Sequence, residues 1–210
     1  MRQQGALLAL EGIDGSGKTT QARLLARALA AKGYDVLLTR EPSDGPVGRR
    51  LRAYLQGASR HLTPARELAL FVADRREHVG QVIRPALDAG RVVITDRYYY
   101  STAAYQGALG LNPAEIVAAN EAFAPRPLLA FILTLPVSAA LARLAGRPGR
   151  AAQLSEQAAY LERVAAIYAN LTGPHLHHIP AHGPPEAILA RILALSLAVL
   201  LHISGFQAGF

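Results

Sequence analysis

The segment Gly12-Ile13-Asp14-Gly15-Ser16-Gly17-Lys18-Thr19 fits the pattern G-x-x-x-x-G-K-[ST] without a gap. An apolar run, residues 6–10, precedes it, and a helix-like run, residues 21–27, follows. That setting is strand, glycine loop, helix, and it turns a text match into a structural claim. Glycines let a backbone close around an anion so that its N–H groups donate to phosphate oxygens, and a helix start adds partial positive charge at the same point. Lys18 can reach the β- and γ-phosphates of a nucleotide, and the Thr19 hydroxyl can ligate the Mg²⁺ ion that travels with them. Gly12, Ile13, Asp14, Gly15, Ser16, Gly17, Lys18, Thr19 and Thr20 therefore form a candidate ATP-binding loop.

Short apolar runs alternate with longer helical segments, the pattern of a parallel sheet covered by helices and hence of an α/β fold. Strands are expected near 6–11, 35–39, 91–96, 128–134 and 176–180. The run 91–96 is short, rich in valine and isoleucine, and ends in the carboxylate of Asp96. Thr63-Pro64 reads as an N-cap with proline at the first helical position, and Asn112-Pro113-Ala114-Glu115 adds a glutamate placed to complete a capping box. One domain over residues 1–210 is expected, with a lid segment at about 145–155. The basic, glycine-rich Gly146-Arg147-Pro148-Gly149-Arg150 suits a loop that closes over phosphates, and equally a solvated connection.

The chain has no cysteine, which excludes disulfides and thiolate metal sites. Its net charge is +7, but the arginines are dispersed and the aromatics follow no RNA-binding signature, so a small anionic substrate is favoured over a nucleic-acid partner. The N-terminus carries no signal peptide, which points to the cytoplasm. Residues 192–203 are almost wholly apolar yet too short to span a bilayer; a buried final helix or a subunit interface is expected, and no membrane. His175, His177, His178 and His182 fit no tight zinc spacing and read as structural.

Three further clusters bear on the substrate. Thr39-Arg40-Glu41-Pro42 ends the second strand, with Arg52 about one helix later; it lies at the carboxyl end of a strand, where ligands of open α/β sheets bind, or is an ordinary charged turn. Phe71 and Arg75 lie four apart on one helix face. A ring beside a guanidinium can stack on a planar base and bond its exocyclic oxygen, or the pair is simply a core phenylalanine and a surface arginine. Asp96-Arg97-Tyr98 offers a carboxylate for Mg²⁺ and an arginine for a phosphate, and Thr102, Tyr105 and Gln106 offer hydroxyl and amide groups.

Together with the glycine loop, Thr39-Arg40-Glu41-Pro42, Phe71 with Arg75, Asp96-Arg97-Tyr98 and Ser101-Thr102-Ala103-Ala104-Tyr105-Gln106-Gly107 resemble the bacterial thymidylate kinases. The resemblance implies a P-loop fold with five parallel strands in order 2-3-1-4-5, and transfer of a phosphoryl group from ATP to dTMP with Mg²⁺. It implies that Asp14 and Glu41 lie near the sugar and phosphate of the acceptor and that Arg52 and Arg97 hold its phosphate. It implies that Phe71 stacks on thymine, Arg75 bonds O4, Gln106 meets N3, and Thr102 and Tyr105 line the pocket. A homodimer is also implied. Lys18 and Arg97 would carry catalysis, with Thr19 and Asp96 at the metal.

Gly15 stands where some members carry a loop arginine, so the chain resembles the bacterial type, whose arginine comes from the lid. The chain departs from that type at three places. Ala151-Ala152 stands where the bacterial lid carries an acid-arginine pair, which leaves Arg147 and Arg150 as the candidate lid cations. Ser43-Asp44-Gly45 replaces a glycine pair after Pro42, and Thr134 replaces an aspartate at the end of the fourth strand. Two rivals follow: a kinase for another small pyrimidine acceptor, and a non-catalytic nucleotide-binding protein with a degenerate lid.

Overall fold

The computed structural model describes residues 5–57, 61–145 and 154–204. Arg147 and Arg150, with Ala151 and Ala152, lie outside them. Strands β1 (Ala6–Gly12), β2 (Val36–Arg40), β3 (Val92–Asp96), β4 (Leu129–Thr134) and β5 (Leu176–Pro180) form one parallel sheet in the order 2-3-1-4-5. Each strand begins and ends within a residue or so of where the apolar runs place it.

Side chains of a strand alternate between faces, and a central parallel strand is buried on both. Leu7 and Ala9 of β1 point to one core with Val93 of β3 and Ala130 and Ile132 of β4. Leu8 and Leu10 point to the other, with Ile94, Phe131 and Leu133. Helices α1 (Lys18–Ala30) and α9 (Pro185–Ser204) cover this second face through Ala22, Leu25, Leu29, Ile188 and Ile192. On the first face lie α5 (Tyr99–Gly107) and α8 (Leu154–Asn170), with Tyr99, Ala104, Leu161, Val164 and Tyr168 in the core.

Helix α2 (Pro46–Gln56) precedes α3 (Pro64–His78). Thr63 caps α3 by accepting from the Arg66 N–H. The chain continues past His78 through a π turn, Val79–Ile83, into α4 (Arg84–Asp88). Pro85 has no N–H and its ring crowds the carbonyl four residues back; the wider turn accommodates it, with the Arg84 N–H reaching the Val79 carbonyl. Helix α6 (Pro113–Glu121) starts at Asn112 as its sequence requires, but Glu115 closes the cap differently from a capping box: it accepts from the Asn112 side-chain amide at 2.9 Å. Helix α7 spans Val137–Ala145, and residues 146–153, where the lid is expected, lie outside the described residues.

The apolar C-terminal run is part of a longer helix than its own twelve residues suggest. Pro185–His202 has the length and mean hydropathy, 1.6, of a membrane span. The stripe Ile188, Ile192, Ser196 and Leu200 is nonetheless buried, and Gln21 of α1 donates to the Pro185 carbonyl at 2.9 Å.

Candidate active site

The phosphate loop leaves β1 at Gly12 and enters α1 at Lys18. Gly12, Gly15 and Gly17 all have φ in the left-handed region, at 131°, 83° and 99°. At Gly15 a Cβ would also sit 2.5 Å from the Ala140 carbonyl oxygen of α7. Any side chain there, an arginine included, requires α7 to move, which is a physical reason for glycine at this place.

Asp14, Gly15, Ser16, Gly17, Lys18, Thr19 and Thr20 line a cavity of about 470 Å³. Gly12 and Ile13 are not on its wall: the Ile13 side chain is in the core, and its carbonyl accepts from Lys18 Nζ at 2.8 Å. Burial first, and the Arg97 charge second, push the Lys18 ammonium down to about 7. Thr19 Oγ1 donates to Asp96 Oδ2, and Asp96 Oδ1 is buried with no hydrogen-bond partner among the described residues. A hydroxyl beside an orphaned carboxylate oxygen is a hard donor set at the mouth of a phosphate cradle, and it fits Mg²⁺.

A second cavity, of about 220 Å³, opens beside the first. Phe71 from α3, Thr102, Tyr105 and Gln106 from α5, and Arg52 from α2 are on its wall. Asp14 and Arg97 line both cavities. Arg97 directly follows β3 and adopts φ 74°, a sparsely populated conformation for a non-glycine residue. Four contacts hold it there. Its N–H donates to the Leu10 carbonyl at 2.9 Å, and its carbonyl accepts from Thr95 Oγ1 at 2.7 Å. Its guanidinium donates to Asp14 Oδ1 at 2.7 Å and to Ser101 Oγ at 3.1 Å. It also lies 5.1 Å from the centre of the Tyr105 ring. Burial would lower its pKa, but Tyr105 and Asp14 hold it above its ordinary value, so it stays a cation.

Arg75 stands behind this wall. It is 1% exposed, in place of the surface position that remained open for it. Nε and Nη2 donate to Glu41 Oε2, Nη2 also to Thr102 Oγ1 at 2.9 Å, and Nη1 to Asn120 Oδ1 at 2.7 Å. A guanidinium has five N–H groups, so one Nη1 proton remains outside these bonds. Glu41 is thus held from behind by Arg75 and His78, while its other side borders the phosphate-loop cavity rather than the second one. Burial alone would raise its carboxyl; Arg75 and His78 bring it below the ordinary value.

Two of the departures have structural consequences. Ser43 donates through its N–H and hydroxyl to Asp74 of α3, which fixes the loop after Pro42. Asp44 accepts from Arg52 Nη2 at 2.7 Å and from Arg40 at 2.8 Å, so Arg52 already has a carboxylate partner at the cavity edge. Thr134 ends β4 with its carbonyl on the Ala181 N–H.

Several residues escaped the sequence. Glu11, beside the loop, is fully buried; it accepts from the Tyr98 N–H, Ser101 and Tyr168, and burial pushes its carboxyl up to about 7. Arg143 on α7 reaches the Gly15 and Ala181 carbonyls and lines the first cavity with Gly183 and Pro185. Glu67, one turn before Phe71, lines the second. Only a helical wheel of α3, extended one turn toward its start, offers a signal for Glu67. Two of the four histidines have ordinary partners: His175 faces Tyr100 at 2.6 Å and His178 the Leu171 carbonyl at 2.9 Å.

A family model described as Thymidylate kinase matches residues 10–192. The thymidylate kinase of Desulfotalea psychrophila is 45% identical over 177 residues, 84% of this chain and 87% of that one. That of Xanthomonas campestris pv. campestris is 45% identical over 196 residues, covering 93% and 85% of the two chains. The Xanthomonas oryzae pv. oryzae protein of the same name is 42% identical over 200 residues, covering 95% and 86%.

Proposed function

The chain belongs to the thymidylate kinase family, and from that premise we propose that it transfers the γ-phosphoryl group of ATP to dTMP, giving dTDP and ADP. The observation that carries this reading is the sharing of Asp14 and Arg97 by two cavities. The phosphate-loop cavity takes the donor, the Phe71 cavity takes the acceptor, and the two phosphates meet at Arg97.

Phosphoryl transfer asks a protein for alignment and charge neutralisation more than for covalent chemistry. The loop N–H groups and Lys18 grip the donor phosphates. Lys18 is held toward the cavity by its bond to the Ile13 carbonyl, and an arriving phosphate favours its charged form. Arg97, fixed in direction by Asp14 and Ser101, places a guanidinium where negative charge accumulates. The acceptor is itself a phosphate oxyanion, so no general base is required. Thr19 and Asp96 would hold Mg²⁺, which when bound supplies charge neutralisation at the donor phosphates. Arg143 adds a cation on the donor side, and Arg147 or Arg150 is proposed to add another from the lid at about 145–155.

In the acceptor cavity Phe71 stacks on the base, and Thr102 and Tyr105 line base and sugar. Gln106 Oε1 is buried without a partner among the described residues, an acceptor suited to the N3–H of thymine. Arg75 does not line this cavity, and its part at O4 belongs to the proposal alone: the remaining Nη1 proton is the donor it would offer from behind Thr102. Arg52 meets the acceptor phosphate, with Glu41 near the transfer point. The whole chain acts as one kinase unit in the cytoplasm, as a homodimer. The test is an acceptor panel with ATP: dTMP, dUMP, dCMP and dGMP. The proposal predicts ADP formation fastest with dTMP; a preference for dCMP, or ATP binding with no diphosphate product, rejects it.

A further inference from the structure

Within the acceptor cavity, Gln106 Nε2 donates to Glu67 Oε1 at 2.9 Å. Both side chains are buried, Glu67 at 3% and Gln106 at 1% exposure. Tyr54 donates to the other Glu67 oxygen at 3.2 Å, which steadies the carboxylate from the α2 side. The orientation of the Gln106 amide follows from chemistry. Turned over, it would set its carbonyl oxygen against a carboxylate oxygen, two acceptors in a dry site with no proton between them. Glu67 therefore leaves Gln106 Oε1 as the atom without a partner, and both residues are on the cavity wall.

Helix geometry explains why this pair belongs to the base. Glu67 and Phe71 are four apart on α3, and Thr102 and Gln106 are four apart on α5, so each helix presents both residues on one face. The ring that stacks on the acceptor and the carboxylate that fixes the amide come from the same stripe.

Resting on the proposed reading of this cavity, we infer that Glu67 is a positioning residue for base specificity: it locks the Gln106 amide so that only a carbonyl oxygen faces the base. A pocket that offers only an acceptor at N3 requires an N–H there. Thymine and uracil have it. Cytosine carries a lone pair at N3, so two acceptors would face each other with no water to separate them. Discrimination against cytosine is thus set through the amide that this carboxylate orients.

The test is Glu67→Gln, isosteric but able to donate or accept, which permits both orientations of the Gln106 amide. With saturating ATP, kcat and KM are measured for dTMP and dCMP in the unaltered chain and the variant. The expected result is a fall of about tenfold or more in the ratio of kcat/KM for dTMP over dCMP, carried mainly by KM, with kcat for dTMP within about threefold. The O4 side of the pocket is unchanged, so specificity relaxes without inverting. A ratio equal to that of the unaltered chain, with both KM values rising together, marks a merely structural role and overturns the inference. Equal use of dTMP and dCMP by the unaltered chain instead refutes the base assignment itself. A second measurement needs no variant. In ¹⁵N-labelled protein the Gln106 side-chain amide protons are expected to stay protected from exchange when dTMP binds, because their bond to Glu67 persists. Loss of that protection on binding shows the amide turned away from Glu67, and overturns the lock.

Discussion

Arg97 Nη2 and Asp14 Oδ1 lie 2.7 Å apart across the boundary of the two cavities, joining the residue after β3 to the tip of the phosphate loop. The pair holds a cation in a left-handed backbone position that a glycine would occupy with less strain. Function and local comfort therefore conflict at this residue, and they separate by mutation. Arg97→Gly should lower kcat by about 10³-fold or more, as expected for loss of a transition-state cation. Its urea midpoint should stay near the original. The part-exposed ion pair contributes about 1 kcal/mol or less, and relief of the backbone offsets about as much. A large loss of stability with little loss of turnover would reverse the assignment.

Glu41 is stable as a buried carboxylate only because Arg75 and His78 face it. Arg75→Met should cost about 3–5 kcal/mol in urea denaturation at pH 7, since it leaves that charge poorly compensated. The pH dependence has a definite sign. In the unaltered chain Glu41 titrates below its ordinary value, so its contribution is present above that value and lost as pH falls through the folded one. In the variant burial dominates and raises the carboxyl, so the deficit should shrink as the medium is acidified. A deficit that does not depend on pH would place the cost elsewhere.

Lys18 is pushed down to about 7 by burial and by Arg97. Phosphates beside it favour the charged form, so nucleotide binding should take up protons. At pH 8 calorimetry in buffers of different ionisation enthalpy should give an uptake approaching one proton per ATP, and affinity should weaken as pH rises further. Lys18→Met should abolish the uptake. Heats that are independent of buffer would contradict the shift.

Asp44 engages both Arg52 and Arg40. An arriving acceptor phosphate must share Arg52 with it. Asp44→Gly should lower the KM for dTMP severalfold, with kcat changed less than about twofold, because Arg52 keeps its bond to the Pro42 carbonyl at 2.6 Å. The effect should fade in high salt. An increase in KM would show that Asp44 positions Arg52 for the phosphate.

Much of this was legible in the chain itself. The five strands declare themselves because a parallel sheet buried on both faces needs unbroken apolar runs, and the cradle because its glycines and Lys18 are contiguous. Thr63 and Asn112 mark helix starts for equally local reasons. What was not legible depends on contacts distant in sequence. Nothing near Arg75 foretells that Glu41, Thr102 and Asn120 will enclose it, or that Asp44 will engage Arg52 across the start of α2. Glu67 reads as a first-turn carboxylate that favours the helix dipole, until Gln106 arrives from another helix. Arg143 looks like a last-turn arginine until α7 is laid against Gly15.

The most direct test of the account is to follow the γ-phosphate. ATP labelled at that position, mixed with the enzyme, Mg²⁺ and dTMP in a single turnover, should give label in the terminal phosphate of dTDP and almost none in inorganic phosphate. Label released as inorganic phosphate, or dTMP left unlabelled while ATP stays bound, would mean that the two cavities do not meet at Arg97 in the way described.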